Sequence, residues 1–176
     1  MNKISLDFET YSECDIKSAG AWAYAKDAST KVLCMAYAEG DEDPKLWLPN
    51  QPLPNFLQKP NEYKIHAWNS FFEWVIWTHV LKLPAPPISQ WYDTASLASA
   101  MALPRSLGGC GYVLGMPDDQ IKSKRGYYLI SKLSKPNKLN GDRRLLAEMY
   151  DYCMQDVITE RAISKTNMGT GSKNKY

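Results

Sequence analysis

The stretch "SLDFETYS" at residues 5–12 carries two carboxylates, Asp7 and Glu9, among apolar neighbours. Successive side chains of a β-strand point to opposite faces, so Asp7 and Glu9 share one face while Leu6 and Phe8 share the other. Two like charges on a half-buried face repel each other unless a proton or a cation compensates for them. The stretch therefore predicts a cation-binding site, provided that the rest of the chain supplies further ligands.

Two segments with helical periodicity carry further acidic residues. In "HAWNSFFEW", Asn69 and Glu73 are four residues apart and lie on one face of a helix that begins there. In "YDYCMQDV", Tyr152 and Asp156 have the same spacing beside the apolar stripe of the last helix. Carboxylates from a strand and two helices are suited to hold two hard divalent cations, Mg²⁺ or Mn²⁺, about 3.5 to 4 Å apart for in-line attack on phosphate. The set is Asp7, Glu9, Glu73 and Asp156.

The order of these groups, D-x-E, then N-x-x-x-[D/E], then Y-x-x-x-D, resembles the three motifs of the DEDD (DnaQ-like) 3′-5′ exonucleases, and the tyrosine marks the DEDDy branch. Flanking segments, including "GAWAYAKDAST" and "YCMQDVITERAI", look like the proofreading exonuclease domain of phage-type family A DNA polymerases. The resemblance extends over roughly residues 3–163. It implies an RNase-H-like α/β fold, with a mixed β-sheet flanked by helices.

The resemblance also implies roles for individual residues. Asp7 would contact both metal ions, and Tyr152 would orient the attacking water. The other carboxylates would complete the metal site, and three residues would contact the terminal nucleotide or line its pocket. These are Glu9, Glu73 and Asp156 for the metal, and Thr10, Asn69 and Phe72 for the nucleotide. The second motif usually carries Asp where Glu73 stands, which moves this carboxylate by one methylene.

Basic residues concentrate between residues 122 and 138. Such a run can be an ordinary solvated face, but a nuclease also needs positive charge that neutralises phosphates near its acidic centre. We expect Lys122, Lys124 and Arg125 to contact the substrate. The 6 tryptophans and 11 tyrosines could stack on unpaired bases. Packing in the core is the better explanation for Trp74 and Trp77.

Most candidate site residues also have a structural interpretation. An isolated D-x-E pair can lie on an exposed strand face. Asn69 can be a helix N-cap, and Glu73 can be a first-turn acid that interacts with the helix dipole. Asp93, in "WYDT", is either a cap for the following helix or a support for the site.

Hydrophobic periodicity predicts the elements that position these residues. Strands are expected at 3–9, 30–40, 44–49, 63–68 and within 86–94, so the first third forms a β-rich meander. Helices are expected at 69–83, 94–102, 106–115, 123–133 and 142–165. This order favours a mixed sheet flanked by helices, in which ligands bind near strand ends. We expect one exonuclease domain at 1–165 and a flexible C-terminal tail at 166–176.

Composition is typical of a globular domain, with 44% hydrophobic and 23% charged residues in 176. The net charge of +2 identifies no partner. The four cysteines include no C-x-x-C pair, which argues against a zinc site or a disulfide framework and favours reduced thiols in a cytoplasmic protein. The N-terminus lacks the apolar segment of a signal peptide, and the most apolar stretch contains Glu73, so no membrane contact is expected.

The sequence therefore predicts a metal-dependent 3′-5′ exonuclease that converts single-stranded or frayed DNA 3′ ends to nucleoside 5′-monophosphates, in proofreading. A DNA polymerase domain or subunit is the expected partner, and the cytoplasm of a phage-infected bacterium is the expected location. Two alternatives stay open. One is an RNA-trimming 3′-5′ exoribonuclease of the same superfamily. The other is a catalytically inactive DNA-binding or scaffold module, although such a module would be expected to have lost carboxylates.

Overall fold

The structure, a computed structural model, describes residues 1–117 and 125–169, with side chains as far as residue 166. Its strands are β1 (Asn2–Tyr11), β2 (Lys31–Glu39), β3 (Lys45–Trp47), β4 (Tyr63–Ala67) and β5 (Trp91–Asp93). Its α-helices are α1 (Ile16–Lys26), α2 (Asn55–Gln58), α3 (Ser70–Val75), α4 (Thr94–Ala100), α5 (Leu107–Val113), α6 (Arg125–Leu133) and α7 (Arg143–Gly169). A π-helical segment, Ile76–Val80, continues α3, and short 3₁₀ turns precede β4 and β5.

The strands form one five-stranded sheet in the order β3-β2-β1-β4-β5. Strand β2 is antiparallel to both of its neighbours, β1 and β3, whereas β4 and β5 run parallel to β1. The predicted mixed α/β sheet is therefore confirmed. Strand β1 lies at the centre of the sheet, and every residue from Ile4 to Thr10 is buried except Asp7, which is half-buried.

The two faces of β1 pack against different helices. Ile4, Leu6 and Phe8 belong to the largest apolar cluster, which also contains side chains of α1, α2, α3 and the π-helical segment. On the opposite face, Asp7 and Glu9 lie on the side of α7. The alternation predicted for β1 thus separates an apolar layer from an acidic one.

Small side chains on β2 allow α7 to lie close to the sheet. Cys34, Ala36 and Ala38 are fully buried there against Cys153 and Val157 of α7. Ala36 lies directly opposite Asp7 in the β1–β2 pairing, and Cys34 lies opposite Glu9. Side chains from β1 and α7 can therefore meet, because β2 places no bulky group between them.

Three local predictions were wrong. Residues 16–26 form helix α1 rather than part of a β-meander; its interior residue Gly20 has a φ of 79° and interrupts regular helical geometry. The helix predicted at 69–83 changes to π-helical geometry after Val75. Helix α7 continues to Gly169, so the first four residues of the predicted tail are helical, while 170–176 lie outside the described residues.

Within residues 1–117 and 125–169, no helix is both long enough and apolar enough to cross a bilayer.

Candidate active site

The acidic face of β1 begins the site. The β1–β2 pairing shifts between Glu9 and Thr10, where Leu33 of β2 is the extra residue of a β-bulge. Bulges bend and twist a strand and change the direction of nearby side chains. Leu33 packs against the cluster formed by α6 and α7. The irregularity therefore lies beside Glu9, at the end of β1 that carries the acidic pair.

Three carboxylates meet where β1 passes α7. Ligand oxygens of Asp7, Glu9 and Asp156 all lie within 4.8 Å of one another. Two oxygens on opposite sides of one Mg²⁺ ion are about 4.2 Å apart, since each Mg–O bond is about 2.1 Å. The spacing of the three groups therefore suits a shared cation, and oxygen donors are the ligands that hard divalent cations prefer.

Glu73 brings a fourth carboxylate to the same strand. Its Oε2 accepts a hydrogen bond of 3.1 Å from the backbone N–H of Phe8, which lies between the two acidic residues of β1. Burial raises the pKa of Glu73 well above its usual value, and the charges of Asp7 and Glu9 raise it further. Burial and the neighbouring negative charges both disfavour the ionised form of this carboxyl, and a bound cation would favour it.

The chain turns sharply between β4 and α3. Asn69 has left-handed backbone geometry, with φ 65° and ψ 56°, which asparagine tolerates better than most residues. Within the described residues, its side chain makes no capping hydrogen bond to α3. Asp93 accepts hydrogen bonds from the backbone N–H of Ser70 at 3.1 Å and of Ser96 at 2.9 Å. Asp93 therefore holds the first turns of both α3 and α4.

The four carboxylates line one cavity of about 280 Å³. Its wall includes all three residues predicted to contact the terminal nucleotide, namely Thr10, Asn69 and Phe72.

Tyr24 of α1 was not predicted to belong to the site, yet its hydroxyl lies 2.7 Å from Thr10 Oγ1, and its ring centre lies 6.1 Å from that of Phe72. Lys135, which forms an ion pair with Asp15 at 3.5 Å, also reaches the cavity wall.

Tyr152 lies one turn before Asp156 on α7, but it is not among the described residues that line the carboxylate cavity. Its ring is buried against Leu129, Leu133 and Met149. It borders a neighbouring cavity of about 320 Å³, whose wall also includes Arg125, Leu129, Glu148, Asp151 and Gln155. The structure therefore brings the four acidic side chains together with the three residues predicted to contact the nucleotide. It places Tyr152 beside this group, packed against α6.

The predicted basic contacts are described only in part, because Lys122 and Lys124 lie outside the described residues. Arg125 donates from Nε to Glu148 Oε2 at 2.8 Å, and its guanidinium lies 4.3 Å from the ring centre of Tyr128. In this conformation, Arg125 joins α6 to α7.

Cys153 contacts a proposed metal ligand that sequence reasoning did not connect with it. Its Sγ lies 3.4 Å from both Oδ2 and the backbone oxygen of Asp7. Burial, the neighbouring Cys34 and the charge of Asp7 raise the pKa of this thiol well above its usual value, so it remains protonated and can donate to Asp7. The sequence indicated only that position 153 belongs to the apolar stripe of the last helix. The available signal was its spacing, because Cys153 precedes Asp156 by three residues and shares its helix face.

The fold is similar to that of a solved structure described as the apo form of a nuclease. The TM-score is 0.52 at 12% sequence identity, and the similarity covers 95% of this chain and 72% of the other. This similarity and the mixed sheet agree with the predicted RNase-H-like fold. No family model matches the chain.

In sequence, the chain is similar to a DNA polymerase of Bacillus phage SP02, with 33% identity over 182 residues. The match covers 93% of this chain but 27% of the polymerase, so the chain spans about a quarter of that relative's length.

Proposed function

We propose that the chain is a metal-dependent 3′-5′ exonuclease that hydrolyses single-stranded or frayed DNA 3′ ends to nucleoside 5′-monophosphates. The observation that carries this proposal is the meeting of Asp7, Glu9 and Asp156 within 4.8 Å. Glu73 lines the same cavity. The fold is similar to that of a nuclease, and the sequence is similar to that of a phage DNA polymerase.

The donor set fits two divalent cations, Mg²⁺ or Mn²⁺. Four carboxylates in one cavity repel each other, and the raised pKa of Glu73 reflects first its burial and then this repulsion. Asp7, Glu9, Glu73 and Asp156 would hold these ions through their carboxylate oxygens. When bound, such a pair activates a water molecule and stabilises the leaving 3′ oxygen. Cys153 would hold the carboxylate of Asp7 in place through its thiol hydrogen.

The other residues of the site bind and orient the substrate. Asn69 and Phe72 would hold the terminal nucleotide, and the backbone of Thr10 would lie near its 3′ end. Asn69 and Phe72 both line the cavity of about 280 Å³ that holds the carboxylates, which supports binding of one terminal nucleotide there. Tyr152 would orient the attacking water. Lys122, Lys124 and Arg125 would contact phosphates of the strand.

The similarity to a phage DNA polymerase favours DNA as the substrate and proofreading in replication as the role. A polymerase domain or subunit would then be the partner, in the cytoplasm of the bacterial host. The boundary proposed for the exonuclease domain lies near residue 165, in the last part of α7, which continues to Gly169.

The proposal is tested with oligonucleotides labelled at either end. Single-stranded DNA and RNA of one sequence are incubated with Mg²⁺, Mn²⁺ or EDTA, and the products are separated by length. We expect 5′-labelled DNA to give a descending ladder with either metal, and 3′-labelled DNA to release labelled mononucleotide at once. RNA should be degraded more slowly, and EDTA should abolish both patterns.

Asp156→Asn provides the matched control, because it preserves the shape of the side chain and removes its charge. Its rate should fall by several orders of magnitude while its melting temperature stays the same or rises. Internal cuts, faster cleavage of RNA, or activity in EDTA would each contradict the proposal.

A further inference from the structure

The backbone of α6 lies directly on the ring of Tyr152. Gly126 is buried in the first turn of α6, and a Cβ added there would lie 2.0 Å from Cε2, 2.4 Å from Cζ and 2.7 Å from the hydroxyl oxygen of Tyr152. Carbon atoms in van der Waals contact are about 3.5 to 4.0 Å apart. The phenolic end of this side chain thus occupies the volume that any residue other than glycine would fill at position 126.

Several contacts fix α6 in this position. Arg125 forms an ion pair of 2.8 Å with Glu148 of α7, and Leu129 and Leu133 are buried against α7. Directly after α6, the backbone oxygen of Ser134 accepts a hydrogen bond of 3.2 Å from the N–H of Ser12, just beyond β1. The helix is therefore attached both to the element that carries Asp156 and to the segment that follows Glu9.

We propose that Gly126 is a positioning residue that sets the location of the Tyr152 hydroxyl, and through it the orientation of the attacking water. This inference rests on the proposed exonuclease function and on the role proposed there for Tyr152. Glycine interrupts a helix at a cost in stability, which makes it an unfavourable choice in α6 unless its missing side chain is needed. The missing side chain is needed here because the ring of Tyr152 occupies the position that a Cβ atom would take.

The surroundings determine where the ring would move. Buried Leu133 and Met149 close one side of Tyr152, whereas the cavity of about 320 Å³ lies beside it. A methyl group at position 126 should therefore push the phenol into that cavity and leave the rest of the domain folded. A displacement of about 1 Å is sufficient to reduce a rate by about 100-fold when it misplaces a reacting group.

The test is a double-mutant cycle with single-turnover rates on single-stranded DNA in Mg²⁺. Gly126→Ala and Tyr152→Phe should each reduce the rate by about 10 to 1000-fold, the range of a positioning or proton-transfer contribution. The double variant should be no slower than Tyr152→Phe, because both changes act through one hydroxyl. Oligonucleotide affinity in EDTA should be unchanged. Tyr127→Ala changes a 68% exposed residue of the same turn and should leave the rate unaltered.

The outcomes separate the two ideas. A normal rate in Gly126→Ala, or a double variant whose losses multiply, would overturn the role of Gly126 even though Tyr152→Phe is slow. A normal rate in Tyr152→Phe would instead contradict the role proposed for the tyrosine itself. If Gly126→Ala does not fold, Gly126→Ala/Tyr152→Ala decides the question: recovery of a folded protein supports the contact, and continued unfolding refutes it.

Discussion

Glu73 shows at the scale of one residue how the fold and the proposed chemistry depend on each other. Its carboxylate is buried, accepts a hydrogen bond from Phe8 of β1 and lies near three other acids. The hydrogen bond stabilises the corner between β4 and α3, whereas the like charges oppose it. A bound cation would compensate for the repulsion between these charges and so stabilise the same corner.

Replacing Glu73 separates these two contributions. Glu73→Gln retains an acceptor for the Phe8 N–H but removes the charge, so turnover should fall by about 100 to 1000-fold while the melting temperature rises. Glu73→Asp retains the charge and shortens the reach, so it should lose less than about 100-fold. Single-turnover rates and thermal melting of both variants provide the measurement. Unchanged turnover with reduced stability in Glu73→Gln would limit this residue to a structural role at the start of α3.

The sequence was sufficient to predict that the four carboxylates converge, because acidic side chains at spacings of two and four residues have few structural explanations when several occur in order. It was not sufficient for Tyr24 or Cys153. Aromatic rings and thiols are common in cores, and both residues reach the site through contacts that no local spacing encodes. The position of Tyr152 under α6 likewise depends on a glycine 26 residues away.

At the scale of elements, the approach of α7 to the sheet depends on the small side chains of β2. Ala36 lies opposite Asp7 in the β1–β2 pairing and is fully buried in a cluster with Cys153 and Val157 of α7. Valine favours strands, so Ala36→Val should not disturb β2 itself. The added methyl groups should push α7 outwards, reduce the free energy of unfolding by about 1 to 3 kcal/mol and slow turnover.

Chemical denaturation and rate measurements on Ala36→Val test this expectation. Ala28→Val, in an exposed turn, is the control for the substitution itself. Equal stability of the two variants would show that the space between β2 and α7 accommodates valine at position 36 without displacing the helix.

His66 of β4 gives the sheet a specific response to acid. It is buried and stacked on Tyr92, with ring centres 4.6 Å apart. Burial, and then the charges of Lys3 and Lys64, lower its pKa from 6.5 to about 4. Above pH 6.5 the imidazole is neutral in both states. Between pH 6.5 and about 4, the unfolded state binds a proton that the folded state does not, so the free energy of unfolding decreases as the pH falls.

Equilibrium unfolding between pH 7 and 4 measures this response. His66→Phe keeps a ring on Tyr92 but cannot bind the proton, so its stability should decrease less steeply over that interval, by up to about 1.4 kcal/mol per pH unit. Parallel curves for the two proteins would exclude His66 as a source of acid sensitivity.

Elements with strong periodicity were predicted closely, and those that depend on tertiary packing were not. The strands at 2–11 and 31–39 follow alternation that the sequence shows directly. In α1, Gly20 breaks the helical pattern, and only Tyr24 and Ala25 are buried, so few apolar positions mark an inward face. Helix α1 is therefore stabilised by packing against α3 rather than by a local amphipathic pattern.

At the scale of the whole molecule, cation binding should stabilise the fold, because the four carboxylates converge only in the folded state. An ion at 100 times its dissociation constant adds about 2.7 kcal/mol. For a chain of this length, that corresponds to a rise of about 5 to 11 °C in melting temperature. Thermal melting with increasing Mn²⁺ or Mg²⁺ measures the shift.

Asp156→Asn is again the matched control, since it removes one ligand charge without changing the shape of α7. Its melting temperature should respond to the metals much less than that of the unmodified chain, and EDTA should abolish the difference. Equal shifts in both proteins would mean that the cations bind elsewhere.

The contact between β1 and α7 joins Asp7 to Cys153 across 146 positions of the chain, which has a consequence for how the protein is made. At a synthesis rate of about 5 to 20 residues per second, α7 leaves the ribosome roughly 7 to 30 s after β1. During that interval, β1 exists without the helix that carries Asp156. The proposed nuclease therefore cannot act on nucleic acid near the translating ribosome until α7 has also been synthesised and has packed against β1.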